Sequence, residues 1–163
     1  MPVIEEQKDG ARLVIVHQDE YPYAEVRVQM HGERRVGVHL KNLIRTPEYV
    51  INIARYDPGM IIERHGHMSS HVIYVIDGFV DVGGHDAHAG SMILLEEGAK
   101  FGPLIAGPQG SYLFEVYLGD AQPVPADPDG FLRLLASSGV ELLPHPVFEE
   151  GPGLPTKVKR GKH

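Results

Sequence analysis

Turn-forming residues recur along this chain at intervals too short for helices, and that spacing constrains the fold more than any other feature. Nineteen glycines and 13 prolines among 163 residues leave intervals of strand length, and the residues in them are β-branched, aromatic or alternating in character. LVIVH (Leu13 to His17) is a β-branched run, and AEVRVQM (Ala24 to Met30) alternates apolar and polar residues with the period of a half-buried strand. VGVHLKNLI (Val36 to Ile44) and YVINIARY (Tyr49 to Tyr56) follow, with turns at Thr46-Pro47 and Asp57-Pro58-Gly59. Later strands are expected at HVIYVI (His71 to Ile76), FVDV (Phe79 to Val82), SMILL (Ser91 to Leu95) and SYLFEVYLG (Ser111 to Gly119), with Gly83-Gly84 as a hairpin turn. FLRLLASS, residues 131–138, carries apolar positions at helical spacing and ends at Gly139. Strands without alternating helices imply an all-β, antiparallel sandwich or barrel, here with one short C-terminal helix.

The length suits one domain with its own core. The strand-rich part is expected over residues 1–119, followed over 120–163 by a proline-rich connector (DAQPVPADPDG, Asp120 to Gly130), the helix and a C-terminal extension. The net charge is −7, and the final TKVKRGKH carries four Lys/Arg and no acid, so the rest carries about −11. That balance disfavours nucleic acid as a partner. No apolar run reaches the roughly 18 residues of a membrane span, and the acidic, mixed start is unlike a leader, so a cytoplasmic protein is expected. There is no cysteine, which leaves only nitrogen and oxygen to hold a metal.

Chemistry concentrates between Gly59 and Gly78, GMIIERHGHMSSHVIYVIDG. His65 and His67 share one face of an extended chain. His71 opens the next strand after a turn at Met68, Ser69 and Ser70. Three imidazoles could therefore converge on one point with the opposite side open, as in a catalytic metal site. His17, His31 and His39 stand singly in strand-like segments, where a structural role is expected. His85 and His88 flank Asp86 in a polar loop.

This stretch resembles the first motif of the cupin superfamily: a glycine, five residues, His-x-His, three or four residues, a glutamate, six residues and a glycine. Gly59, His65, His67 and Gly78 fall at those spacings, over residues 59–78, with His71 at the glutamate position. The second motif, over residues 90–101, fits more loosely. Gly90 and Gly98 match, Glu96 takes the proline position, and Phe101 takes that of the histidine. The resemblance implies a single-domain, cupin-type jelly-roll with a metal inside one mouth, held by His65 and His67. His71 would ligate through an imidazole nitrogen in place of the carboxylate, and Phe101 cannot ligate. Three neutral ligands would leave a divalent ion near +2, a stronger Lewis acid than a site containing a glutamate.

The expected cofactor is thus a divalent transition metal, iron or zinc first, with nickel, manganese and copper behind. Glu63 shares the parity of His65 and is the candidate general base. Phe101, Tyr74 and Glu115 are the candidate ligand-contacting residues, although the parity of Tyr74, opposite to that of His71, also suits core packing. The function these features favour is a metal-dependent enzyme acting on a small, anionic or oxygen-rich molecule, by oxygen-dependent cleavage or by lyase or isomerase chemistry. The alternative is a non-catalytic binding or sensing domain. Edge strands that need protection favour a homodimer.

Overall fold

The structure is a computed structural model describing residues 2–147, 153 and 154. The basic tail and most of the C-terminal extension lie outside the described residues. The strands are β1 (Val3–Glu6), β2 (Arg12–Ile15), β3 (Ala24–His31), β4 (Arg34–Arg45), β5 (Val50–Tyr56), β6 (Ile61–Ile62), β7 (His65–Gly66), β8 (His71–Val82), β9 (Asp86–His88), β10 (Met92–Leu95), β11 (Lys100–Phe101), β12 (Leu104–Tyr117) and β13 (Val124–Pro125). Helix α1 (Pro128–Ser137) and β14 (Val140–Leu142) complete the order.

Every strand pairing is antiparallel, and the fold is an all-β jelly roll. The main sheet runs β10-β8-β12-β5-β4-β3-β14, with β6 also on β12 and β9 on β8. A smaller sheet, β11-β7-β13, packs opposite it, and β1-β2 form a separate hairpin. One apolar core joins the two larger sheets: Val38, Ala54, Ile62, Ile73, Val75 and Leu113 of the main sheet share it with Phe101 of β11. The inward positions are those that the period-2 pattern marks as buried.

Local chemistry explains the turns. Gly83 and Gly84 both have positive φ, 61° and 94°, and Val82 and His85 exchange backbone hydrogen bonds across them. This is the two-residue hairpin loop whose twist matches that of its strands. Thr46 Oγ1 accepts from the amides of Glu48 and Tyr49, closing the turn before β5.

Three elements differ from the sequence expectation. Phe79 to Val82 is not a separate strand: β8 runs through Gly78, whose φ of +71° lies where a bulge shifts the β8–β12 register. β12 starts at Leu104, ahead of the expected Ser111, because pairing with β6 and β8 carries the strand across Gly107 and Pro108. α1 starts at Pro128, ahead of Phe131, because Asp127 caps it by accepting a hydrogen bond from the Gly130 amide. The segment after residue 119 contributes to both larger sheets, β13 beside β7 and β14 beside β3.

Register sets the layers of the interior. His71 lies opposite Leu95 on one side and Tyr117 on the other, and Tyr117 lies opposite Val50. The next inward row joins Ile73, Glu115, Asn52 and Asn42 as direct cross-strand neighbours. Beneath it Val75, Leu113, Ala54 and Leu40 form an apolar floor.

Candidate metal and ligand site

The three histidines reach one region by different routes. His65 sits in β7, clamped between Phe101 of β11 and Pro125 of β13. His67 follows Gly66 at the end of β7, and its carbonyl accepts from the Gly98 amide. His71 opens β8. All three are buried, at 7%, 2% and 1% exposure.

Their hydrogen bonds orient the rings. His65 Nδ1 lies 2.8 Å from the Glu63 carbonyl oxygen and His67 Nδ1 lies 3.1 Å from that of Gln122. A carbonyl can only accept, so each Nδ1 carries the proton and each Nε2 keeps its lone pair. His67 Nε2 and both ring nitrogens of His71 are buried without a hydrogen-bond partner among the described residues. Buried polar atoms of this kind ordinarily have partners. Burial, reinforced by the neighbouring imidazoles, lowers His67 to about 4 and His71 to about 2. Burial also lowers His65, against the opposing pull of the Glu63 carbonyl and carboxylate. All three rings are therefore neutral at pH 7, the form that binds metal.

Ring spacing gives a further test. With a metal–nitrogen length of about 2.0–2.1 Å, two imidazoles on one tetrahedral ion would have centroids about 5 Å apart. His65 and His67 are 5.1 Å apart and His67 and His71 are 5.0 Å apart, each pair near a right angle. His71 is also stacked on Tyr117, at 3.8 Å and 16°. These two spacings suit a shared ion, but no ring contact joins His65 to His71 among the described residues, and no three His, Cys, Asp or Glu side chains among them form a metal-holding group.

His65 and His67 border a cavity of about 1080 Å³, and His71 lies behind Tyr117 of its wall. Its lining includes His65, His67, Arg27, Asn52, Glu115 and Tyr117. Glu115 is brought into this wall at 3% exposure. Burial raises its carboxyl to about 7 against the weak opposing effect of the Tyr117 hydroxyl, which donates to it at 3.4 Å. Phe101 lies behind the lining, with its ring 4.9 Å from that of His65 and 6.0 Å from that of His71.

Two sequence candidates are placed elsewhere. Tyr74 is on the outer face of β8 and 39% exposed, in neither the core nor the cavity. The Glu63 carboxylate forms an ion pair with Arg27. Burial opposes its charge, but the hydrogen bond and charge of Arg27 outweigh burial and hold it below the usual carboxylate range. It is a committed anion, poorly suited to act as a base at neutral pH. Its main chain, in contrast, orients His65.

Asn52, Tyr117, Tyr56 and Arg27 also line the cavity and were not singled out from the sequence. Asn52 did carry a signal, as an amide at an inward position of an apolar strand. Tyr117 shares parity with Glu115, but its stack on His71 depends on strand order.

No protein-family model matches the chain and no curated protein matches it. Solved structures do. A protein from Methylibium petroleiphilum described as a candidate acetylacetone dioxygenase superposes with a TM-score of 0.61 at 19% identity, over 76% of this chain and 88% of its own. The polyketide cyclase RemF from Streptomyces resistomycificus gives 0.53 at 17% identity, over 69% and 84%. An RmlC-like cupin from Shewanella frigidimarina gives 0.52 at 19% identity, over 65% and 90%.

Proposed function

The chain has the cupin fold, and on that premise we propose that it is a metal-dependent enzyme acting on a small, oxygen-rich or anionic molecule in the cavity beside His65, His67 and His71. The observation that carries this reading is that nitrogens of His67 and His71 are buried without a partner among the described residues, while the Nδ1 protons of His65 and His67 are tied to carbonyls. Such tethering is how proteins present imidazole to a cation. Iron or zinc suits the all-nitrogen donor set, with nickel, manganese and copper behind. A bound ion would supply Lewis acidity and, if redox-active, access to oxygen chemistry.

This chain's own residues supply the remainder. The Glu63 and Gln122 carbonyls fix the two tautomers. Phe101 keeps water from the back of the imidazoles. The Arg27–Glu63 ion pair holds the Arg27 side chain at the wall and keeps the Glu63 charge neutralised. The cyclase and dioxygenase descriptions of the structural relatives are compatible with either lyase/isomerase or oxygen-dependent chemistry.

One observation favours a second reading, a non-catalytic ligand-binding or sensing domain: the three-histidine set is not closed among the described residues. Elemental analysis of wild type beside His65→Ala, His67→Ala and His71→Ala separates the two. Near-stoichiometric metal lost in each variant, with the fold retained, is the expected result. Metal-free wild type after reconstitution supports the second reading.

A further inference from the structure

One layer beneath the histidines the barrel interior carries a polar row that the metal reading does not use. Glu115 on β12 lies directly opposite Asn52 on β5, and Asn52 lies opposite Asn42 on β4. All three line the same cavity as His65 and His67. Two residues along a strand is about 7 Å, so Glu115 sits about that far below Tyr117, whose ring covers His71. A molecule of a few carbons can span both levels.

The row is costly as it stands. Asn52 is 4% exposed and its Oδ1 has no hydrogen-bond partner among the described residues. The only side-chain hydrogen bond of Glu115 among them is the long one from Tyr117. The next strand, β8, offers Ile73, and the layer below is apolar. A buried acceptor left unpaired costs about 1–3 kcal/mol, and here it belongs to a row that lines a space large enough for a ligand. The chemistry of the row selects the ligand, because acceptors require donors and Glu115, which has no ion pair among the described residues, repels a second anion beside it.

We propose that Asn42, Asn52 and Glu115 form a ligand-recognition row that takes an uncharged, hydroxyl-bearing part of the ligand, and that Glu115 exchanges a proton with it. In that exchange the carboxylate accepts the hydroxyl proton, the ligand O–H bond breaks and its electron pair stays on the ligand oxygen. The reverse transfer restores both groups. The groups that face Glu115 are Tyr117 from its own strand, Tyr56 of β5, and the Arg27–Glu63 pair beyond them. Neither tyrosine is ionised at neutral pH, since burial and then the neighbouring Glu115 raise both hydroxyls. Glu115 is thus the group of this row that can change charge near neutrality.

This inference rests on the cavity being a small-molecule site, as proposed above. It is tested by saturation-transfer NMR on the full-length protein, stripped with chelator and then metal-loaded, using D-xylose as the uncharged hydroxyl probe and succinate as the anionic one. D-xylose is expected to give a signal that falls at least fivefold in Asn52→Leu. A carboxylate accepts hydroxyl hydrogen bonds more strongly than a carboxylic acid does, so the wild-type signal should rise from pH 6 to pH 8. It should be flat in the near-isosteric Glu115→Gln. No D-xylose signal, one unchanged in Asn52→Leu, a pH rise that survives in Glu115→Gln, or a succinate signal with the same Asn52 dependence overturns the proposal. Metal content of the same samples separates the two readings. A row-dependent D-xylose signal in protein that never takes up metal leaves the row standing and removes the metal, whereas bound metal with no D-xylose signal removes the row alone.

Discussion

Glu115 shows how one residue couples stability to function. Its folded carboxyl is raised by burial to about 7, from 4.5 for the unperturbed group. Between those values the folded state holds a proton that the unfolded chain has released. The stability this group contributes is therefore full at low pH and is lost as pH rises from 4.5 through 7. At about 1.4 kcal/mol per unit, the loss amounts to ~3 kcal/mol. In urea unfolding of the metal-free protein, Glu115→Gln is expected to gain on wild type by up to that amount between pH 4.5 and pH 8. A difference that stays constant over this range would mean that Glu115 ionises normally in the folded chain. Glu115 was visible in the sequence as a lone charge among apolar residues. Its pairing with Asn52 was not, because that depends on which strand β12 meets.

At the scale of elements, β7 is the short piece on which the site depends. It pairs with β11 on one side and β13 on the other, and Gly66 faces both Lys100 and Val124. A Cβ at Gly66 would collide with the Ala99 carbonyl oxygen. Gly66→Ala must therefore push β7 away from β11, moving His65 and His67 together. Overpacking of this kind costs about 1–3 kcal/mol. A lowered melting temperature and a metal content well below wild type are expected, read by calorimetry and elemental analysis on the same sample. Full metal occupancy in Gly66→Ala would detach the site from β7. The His-x-His spacing identified this element, whereas β13 lay in a proline-rich stretch whose only strand signal is its pairing with β7.

At the scale of the whole molecule, the outer face of the main sheet is the exposed feature that calls for a partner. Met92 on β10, Tyr74 on β8 and Phe114 on β12 are direct cross-strand neighbours, all exposed, and Leu94 of β10 is 63% exposed beside them. β10 ends the strand order, so this apolar row runs to an edge. Apolar edges invite pairing with another chain. A second copy related by a two-fold axis would cover the row and extend the sheet, giving the expected homodimer. Sedimentation equilibrium should show a dimer that Met92→Glu with Leu94→Lys weakens at least tenfold. A wild-type monomer at tens of micromolar would remove this interface. No helix among the described residues is long and apolar enough to cross a membrane.

The sequence by itself determined the class of fold, the positions of most strands and the three histidines. Turn chemistry, period-2 burial and His-x-His spacing are local properties, written within a few residues of where they act. Tertiary structure decided which side chains share the cavity. It turned Tyr74 outward, tied Glu63 to Arg27, set Phe101 behind the imidazoles, and aligned Glu115 with Asn52 from strands 63 positions apart in the chain. Those outcomes follow from strand order and register, because cross-strand neighbours are chosen by the packing of the whole sheet and leave no mark in the residues adjacent to them.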